Sequence, residues 1–230
     1  MISVYYTKVF PFLKEGTFFA HKDQIGEKRR QDIRNKKNEE AKARSLAAGV
    51  LLHEGLCEYL NYPRESTPPF QIGLGQWGKP YLVDYPGIYF NLSHSGEYVC
   101  CAVADFEVGV DVQQHQAVKD GVANHFFSVE DNRLLAGLDE TEKGEWFFRI
   151  WSIRESYVKF TGKGLGQGLA NFEIDWENQM IRDAGKPSAY FEEKRDLKGY
   201  SMCVCGQEKA PEPRWVRMEF GEKNGGEEKI

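Results

Sequence analysis

Residues 88–113 read IYFNLSHSGEYVCCAVADFEVGVDVQ, three apolar segments separated by two short polar breaks. Residues 88–93 and 98–104 are joined through Ser95-Gly96, which predicts a β-hairpin, and 108–113 follow as a third strand. Working outward, Ile2, Val4 and Tyr6 alternate with Ser3, Tyr5 and Thr7, so 2–9 is an opening strand, and 80–83 is another. Later strands are expected at 170–176, 188–193, 200–205 and 215–220. A long helix is expected over 36–61, where Ala43, Leu46, Ala47, Val50, Leu51, Cys57 and Leu60 recur at helical spacing and Asn61-Tyr62-Pro63 stops it. A second covers 143–161, rich in aromatics (Trp146, Phe147, Phe148, Trp151, Tyr157, Phe160) and ended by Gly162 and Gly164. Ser128-Val-Glu-Asp131 is a capping-box pattern that opens a further helix. Helices do not alternate regularly with strands, which favours an α+β fold over a doubly wound one.

The 230 residues leave room for one large domain or two small ones. Apolar residues make up 41%, enough for a core and too many for global disorder. The longest clean apolar run, 98–104, is far short of the roughly 20 residues that cross a bilayer. The opening MISVYYTKVFPFLKEG shows no secretory pattern, so a cytoplasmic location is expected. Five cysteines, without CxxC or a zinc-type Cys/His spacing, read as buried small apolar residues in a reducing compartment. The net charge of −5 argues against a nucleic-acid binder. It also conceals a segment of opposite sign, since residues 27–44 carry +4 and the remainder −9. The tail 222–230 has nothing to bury and is expected to be disordered.

Several patterns could carry chemistry. In Val108-Gly-Val-Asp111-Val-Gln113 the valines share one strand face and Asp111 and Gln113 the other, a carboxylate and an amide suited to a hard cation bearing phosphate. Trp151, Glu155 and Lys159 stand at i, i+4 and i+8 on one helix face, where Glu155 could serve as metal ligand or general base and Lys159 could reach a phosphate. Phe90-Asn-Leu-Ser93-His94-Ser95-Gly96 puts hydroxyls, an imidazole and turn N–H groups at a strand end, a plausible anion site. Gly78-Lys79-Pro80 is not a phosphate-binding P-loop, and the basic run 27–44 could hold phosphate. Taken singly, these have plainer readings: a surface Asp, an i, i+4 salt bridge, a polar turn, a solvated face.

In order, GlyLysPro 78–80, PheAsnLeuSerHisSer 90–95, GlyValAsp 109–111, PhePheSer 126–128 and TrpSerIleArgGluSerTyrValLys 151–159 resemble the 4′-phosphopantetheinyl transferases of the surfactin-synthetase-activating, single-chain type. The resemblance runs from about residue 28 to 175 and more loosely to 205. It implies a pseudo-dimer of two similar α+β halves, 1–107 and 108–221, with coenzyme A in the cleft between them. The implied reaction moves phosphopantetheine onto a Ser of an acyl or peptidyl carrier protein, with Mg²⁺ (or Mn²⁺) on the pyrophosphate and release of 3′,5′-ADP. It would serve peptide, polyketide or fatty acid synthesis, and the enzyme would be a monomer.

Under the resemblance Asp111 and Glu155 are metal ligands, and Glu155 is also the candidate to deprotonate the carrier Ser, directly or through a water. Lys159 neutralises phosphate charge. Lys28, Arg44, Ser45, Lys79, Ser93 and His94 bind the coenzyme, with His94 near the 3′-phosphate. Two positions depart from the pattern. Gln113 stands where relatives often have Glu, which implies a weaker, water-mediated or amide contact with the metal. Arg154 replaces the usual Lys before Glu155, about 100° round the helix from it, which implies a structural or carrier-facing role. Two other classes use the same residues: a catalytically impaired coenzyme A-binding protein and a Mg²⁺-dependent phosphodiester hydrolase.

Overall fold

A computed structural model describes residues 1–119, 121–164, 166, 168–209 and 212–220. In chain order the strands are β1 (Ser3–Lys8), β2 (Ile72–Leu74), β3 (Pro80–Leu82), β4 (Tyr89–Ser95), β5 (Tyr98–Ala104), β6 (Val108–Gln114), β7 (Phe172–Asp175), β8 (Met180–Asp183), β9 (Lys186–Lys194), β10 (Tyr200–Gly206) and β11 (Arg214–Arg217). The helices are α1 (Thr17–His21), α2 (Glu27–Asn35), α3 (Glu39–Tyr59), α4 (Val122–Phe126), α5 (Val129–Ala136) and α6 (Glu140–Thr161).

The strands form two larger sheets, ordered β11-β1-β5-β4 and β6-β10-β9-β8-β7, with β2-β3 as a separate hairpin. The chain is α+β and repeats one topology. In the first half β1 is followed by α3 and then the β4-β5 hairpin, whose second strand pairs antiparallel with β1. In the second half β6 is followed by α6 and then by β9 and β10, and β10 pairs antiparallel with β6.

Side-chain alternation assigns the layers. Val99, Cys101 and Val103 of β5 join the cluster under α3. Tyr98, Cys100, Ala102 and Ala104 join Val108, Val110 and Val112 of β6 in a cluster shared by the two sheets. Cys203 and Cys205 face Ile153 and Tyr157 of α6. The order is therefore α3, sheet, sheet, α6. β5 is buried along its whole length because both of its faces are covered, so it reads as a continuous apolar run.

The first long helix is shorter than expected. Lys36 is extended, and Asn38 caps α3 by accepting from the Ala41 N–H at 2.9 Å, so the helix begins at Glu39, and Lys28, Arg29, Arg30 and Arg34 lie in the separate α2. Ser128 and Asp131 form the expected capping box on α5. The strand near 215–220 is β11, which pairs in parallel with β1 and so joins the first half's sheet, not its own half's. The tail 222–230 lies outside the described residues.

Candidate active site

β4 and β6 meet side by side without a backbone ladder. Alternate side chains of β4 replace it: Asn91 Oδ1 accepts from the Val110 N–H at 3.0 Å, Ser93 Oγ from Val112 N–H at 3.4 Å and Ser95 Oγ from Gln114 N–H at 3.1 Å. The two-residue period of a strand makes this possible, because residues 91, 93 and 95 share one face. The bonds at 110 and 112 bracket Asp111, so its backbone is pinned on both sides from the other half of the molecule.

Asp111 is 1% exposed. Its Oδ1 accepts from Ser93 Oγ at 2.7 Å and from Lys159 Nζ, and its Oδ2 accepts from Gln113 Nε2 at 2.8 Å. Lys159 also donates to Ser93 Oγ at 2.8 Å. Burial alone would push the Lys159 ammonium down, but Asp111 outweighs it and holds the group above its ordinary value, so it is charged.

Glu155 stands one helical turn before Lys159. No hydrogen bond or ion pair to its carboxylate is seen among the described residues, and it lines the same cavity of about 640 Å³ as Asp111, Gln113, Trp151 and Lys159. Desolvation, then the Asp111 charge, push its pKa above the ordinary Glu value, and Lys159 only partly offsets them. α6 approaches β6 closely because residue 109 is Gly: a Cβ there would lie 2.1 Å from Ser156 O and 2.3 Å from Phe160 N. Trp151 stacks on Phe147 and meets Phe126 edge-on, forming an aromatic wall beside the carboxylates.

His94 is held below its ordinary pKa by desolvation and by the positive charges of Arg44, Lys159 and Lys36. An anion entering this groove therefore meets cations from α3, α6 and the segment before α3. Lys28 and Ser45 line a second cavity, of about 830 Å³, whose wall also includes Lys36, Gly78 and Pro80. Lys79 is placed differently from the other expected ligand residues, with its ammonium against Phe160 O, Val108 O and Glu107. Arg154 is fully buried and bonds Asp131, Leu169 O and Phe172 O, which is the structural alternative of the two expected for it.

Three further contributors to this region are Asn91, Ser95 and Lys36. Asn91 and Ser95 share the alternation that puts Ser93 on one face of β4, but the partners that define their roles lie on the facing strand. Lys36 does not stand out within a run of similar charges.

Two repeated halves thus enclose a cleft with paired carboxylates, a charged lysine and a basic rim, the outline of a protein that handles a phosphorylated ligand. Residues 107–205 match the family model described as the 4′-phosphopantetheinyl transferase superfamily. The chain is 28% identical over 186 residues to 4′-phosphopantetheinyl transferase Sfp of Bacillus subtilis (strain 168), covering 79% of this chain and 81% of that protein. It is 28% identical over 209 residues to 4′-phosphopantetheinyl transferase gsp of Aneurinibacillus migulanus, covering 89% and 86%. With 4′-phosphopantetheinyl transferase psf-1 of Bacillus pumilus it shares 38% over 128 residues, 55% of each chain. Thermotoga maritima holo-[acyl-carrier-protein] synthase superposes with a TM-score of 0.34 at 19% identity, over 46% of this chain and 64% of that one. Over most of its length the chain is thus similar to 4′-phosphopantetheinyl transferases, and residues 107–205 carry the match to the superfamily.

Proposed function

We propose that this enzyme transfers the phosphopantetheine arm of coenzyme A to a Ser hydroxyl of an acyl or peptidyl carrier protein and releases 3′,5′-ADP. The observation that carries the reading is Glu155, an unpartnered carboxylate of raised pKa that shares one cleft with the Asp111–Ser93–Lys159 cluster. No helix among the described residues is long and apolar enough to cross a membrane.

Glu155 takes the proton of the carrier Ser, and its raised pKa makes it a stronger base than an ordinary carboxylate. The Ser oxygen then forms a bond to the phosphorus that bears the pantetheine. The bond from that phosphorus to the bridging oxygen breaks, and the electron pair leaves on 3′,5′-ADP. Two of the three Lys159 donors are taken by Ser93 and Asp111, which leaves one for a phosphate oxygen as charge spreads. Lys28, Lys36, Arg44, Ser45 and His94 hold the nucleotide end.

The donor set suits a hard divalent cation. Asp111 and Glu155 line one cavity, and two carboxylates with the remaining positions left to water and substrate oxygens match what Mg²⁺ prefers. Asp111 and Glu155 would hold it, and a cation would relieve the repulsion that raises the Glu155 pKa. Gln113 gives its N–H to Asp111, and its carbonyl oxygen would be available to the hydration shell of a bound cation. Bound there, Mg²⁺ or Mn²⁺ would neutralise pyrophosphate oxygens.

The test is to incubate the protein with coenzyme A, Mg²⁺ and an apo carrier protein and weigh the carrier. A gain of about 340 Da, one phosphopantetheine, is the expected result. Tight coenzyme binding without a gain points to a binding protein, and 3′,5′-ADP without carrier labelling to a hydrolase. Either one refutes the proposal.

A further inference from the structure

We propose that Lys79 is a positioning residue that locks the end of the catalytic helix to the first half of the chain, and that it does not contact the coenzyme. The inference rests on the transferase reading above.

Lys79 leaves a tight turn in which Gly78 has φ +81°, the Gly75 N–H donates to Lys79 O at 2.9 Å and the Gly78 N–H donates to Gly75 O at 3.0 Å. Its stem then crosses to the second half. The ammonium donates to Phe160 O at 2.8 Å, to Val108 O at 3.4 Å and to the Glu107 carboxylate. An ammonium has three donors, and three protein acceptors surround this one. A phosphate could reach it only by displacing one of them.

The acceptors are informative in themselves. Phe160 O is among the last four carbonyls of α6, which have no partner inside the helix, and a cation there also complements the helix dipole. Phe160 follows Lys159 directly and lies five residues after Glu155. Val108 O opens the strand that carries Asp111. One ammonium therefore ties together the start of β3, the start of β6 and the end of α6, so it bears on how the Asp111 and Glu155 carboxylates stand relative to each other. Gly162 makes the approach possible. It caps α6 at φ +68°, and a Cβ on it would lie 2.8 Å from Lys79 Cδ. The cation that the resemblance assigns to the nucleotide or its phosphates is consumed in holding the helix. Lys28, Lys36 and Arg44 remain to meet phosphate.

The experiment compares wild type with K79M, K79R and E107Q. In K79M kcat should fall between about 10-fold and 100-fold, the loss that accompanies a small misplacement of catalytic groups, while KM for coenzyme A changes less than about 3-fold. K79R should recover most of the rate, and E107Q, which removes only one acceptor charge, should show a smaller loss of the same kind. Without substrates, amide hydrogen exchange of the peptide spanning 156–164 should be faster in K79M and E107Q than in wild type. A rise in KM for coenzyme A with kcat retained, or an unchanged exchange rate at the helix end, would overturn the proposal. The exchange measurement needs no turnover. If wild type failed to label a carrier, the transferase reading would fall while faster exchange still established the clasp.

Discussion

Replacing Arg154 by Met should be among the most damaging single changes in this protein, although the side chain reaches no ligand. Arg154 is fully buried, and its guanidinium meets the Asp131 carboxylate, Leu169 O and Phe172 O, the last at 3.0 Å. Asp131 is itself 4% exposed and closes the capping box of α5, so the pair holds α5 and the segment before β7 against α6. Removing one partner of a buried pair strands the other charge, at about 3–5 kcal/mol. A loss near ~4 kcal/mol in a chain of this size corresponds to a Tm lower by about 8–16 °C. The pair is not ideal, because Arg154 Nε has no hydrogen-bond partner. Removing both charges should therefore cost less than removing one, and R154M/D131N should recover at least half of the R154M loss. Urea unfolding of the two single variants and the double variant measures this. A loss below about 1 kcal/mol for R154M, with a raised KM for the carrier, would refute the structural role and place Arg154 on the docking surface.

Other consequences follow from the same geometry. Gly109→Ala would drive a Cβ into Ser156 O and Phe160 N; at least a 10-fold loss of transfer, with destabilisation of about 1–3 kcal/mol, should appear in activity and melting measurements. Glu155→Gln should abolish transfer yet stabilise the fold at pH 8 by about 1 kcal/mol. The folded Glu155 pKa lies above its unfolded value, so wild type loses that contribution as pH rises through the folded pKa; melts across pH should show the two proteins converging in acid. In wild type, kcat should fall as pH drops through the raised Glu155 pKa. Gln113→Glu should lower the Mg²⁺ concentration for half-maximal rate, and an unchanged value would place residue 113 outside the coordination shell.

Much of the fold was legible because its strands and long helices carry plain local periodicity. Val108–Val112 shows its inward face directly, and Trp151, Glu155 and Lys159 show theirs. What escaped depends on contacts distant in sequence. β8, spelled Met-Ile-Arg-Asp, is too short and polar to announce itself, and the pairing of β11 with β1 joins the two ends of the chain. Asp111, Glu155 and Lys159 stand out as candidates by type and spacing, but each alone has a plainer reading, and it is the family resemblance that assigns them roles. The roles of Asn91 and Ser95 were not legible, since each is set by a backbone N–H about nineteen residues away on the facing strand. Lys79 is a coenzyme ligand only under the family resemblance, and what its charge faces depends on the meeting of the two halves.

The central claim is that the cleft moves phosphopantetheine to a protein hydroxyl with Glu155 as base. The most direct measurement follows carrier mass and 3′,5′-ADP together, in wild type and in E155Q. Wild type should convert apo carrier with one 3′,5′-ADP released for each gain of about 340 Da, and E155Q should produce neither. Nucleotide release by wild type in excess of labelled carrier, or full labelling by E155Q, would contradict the account.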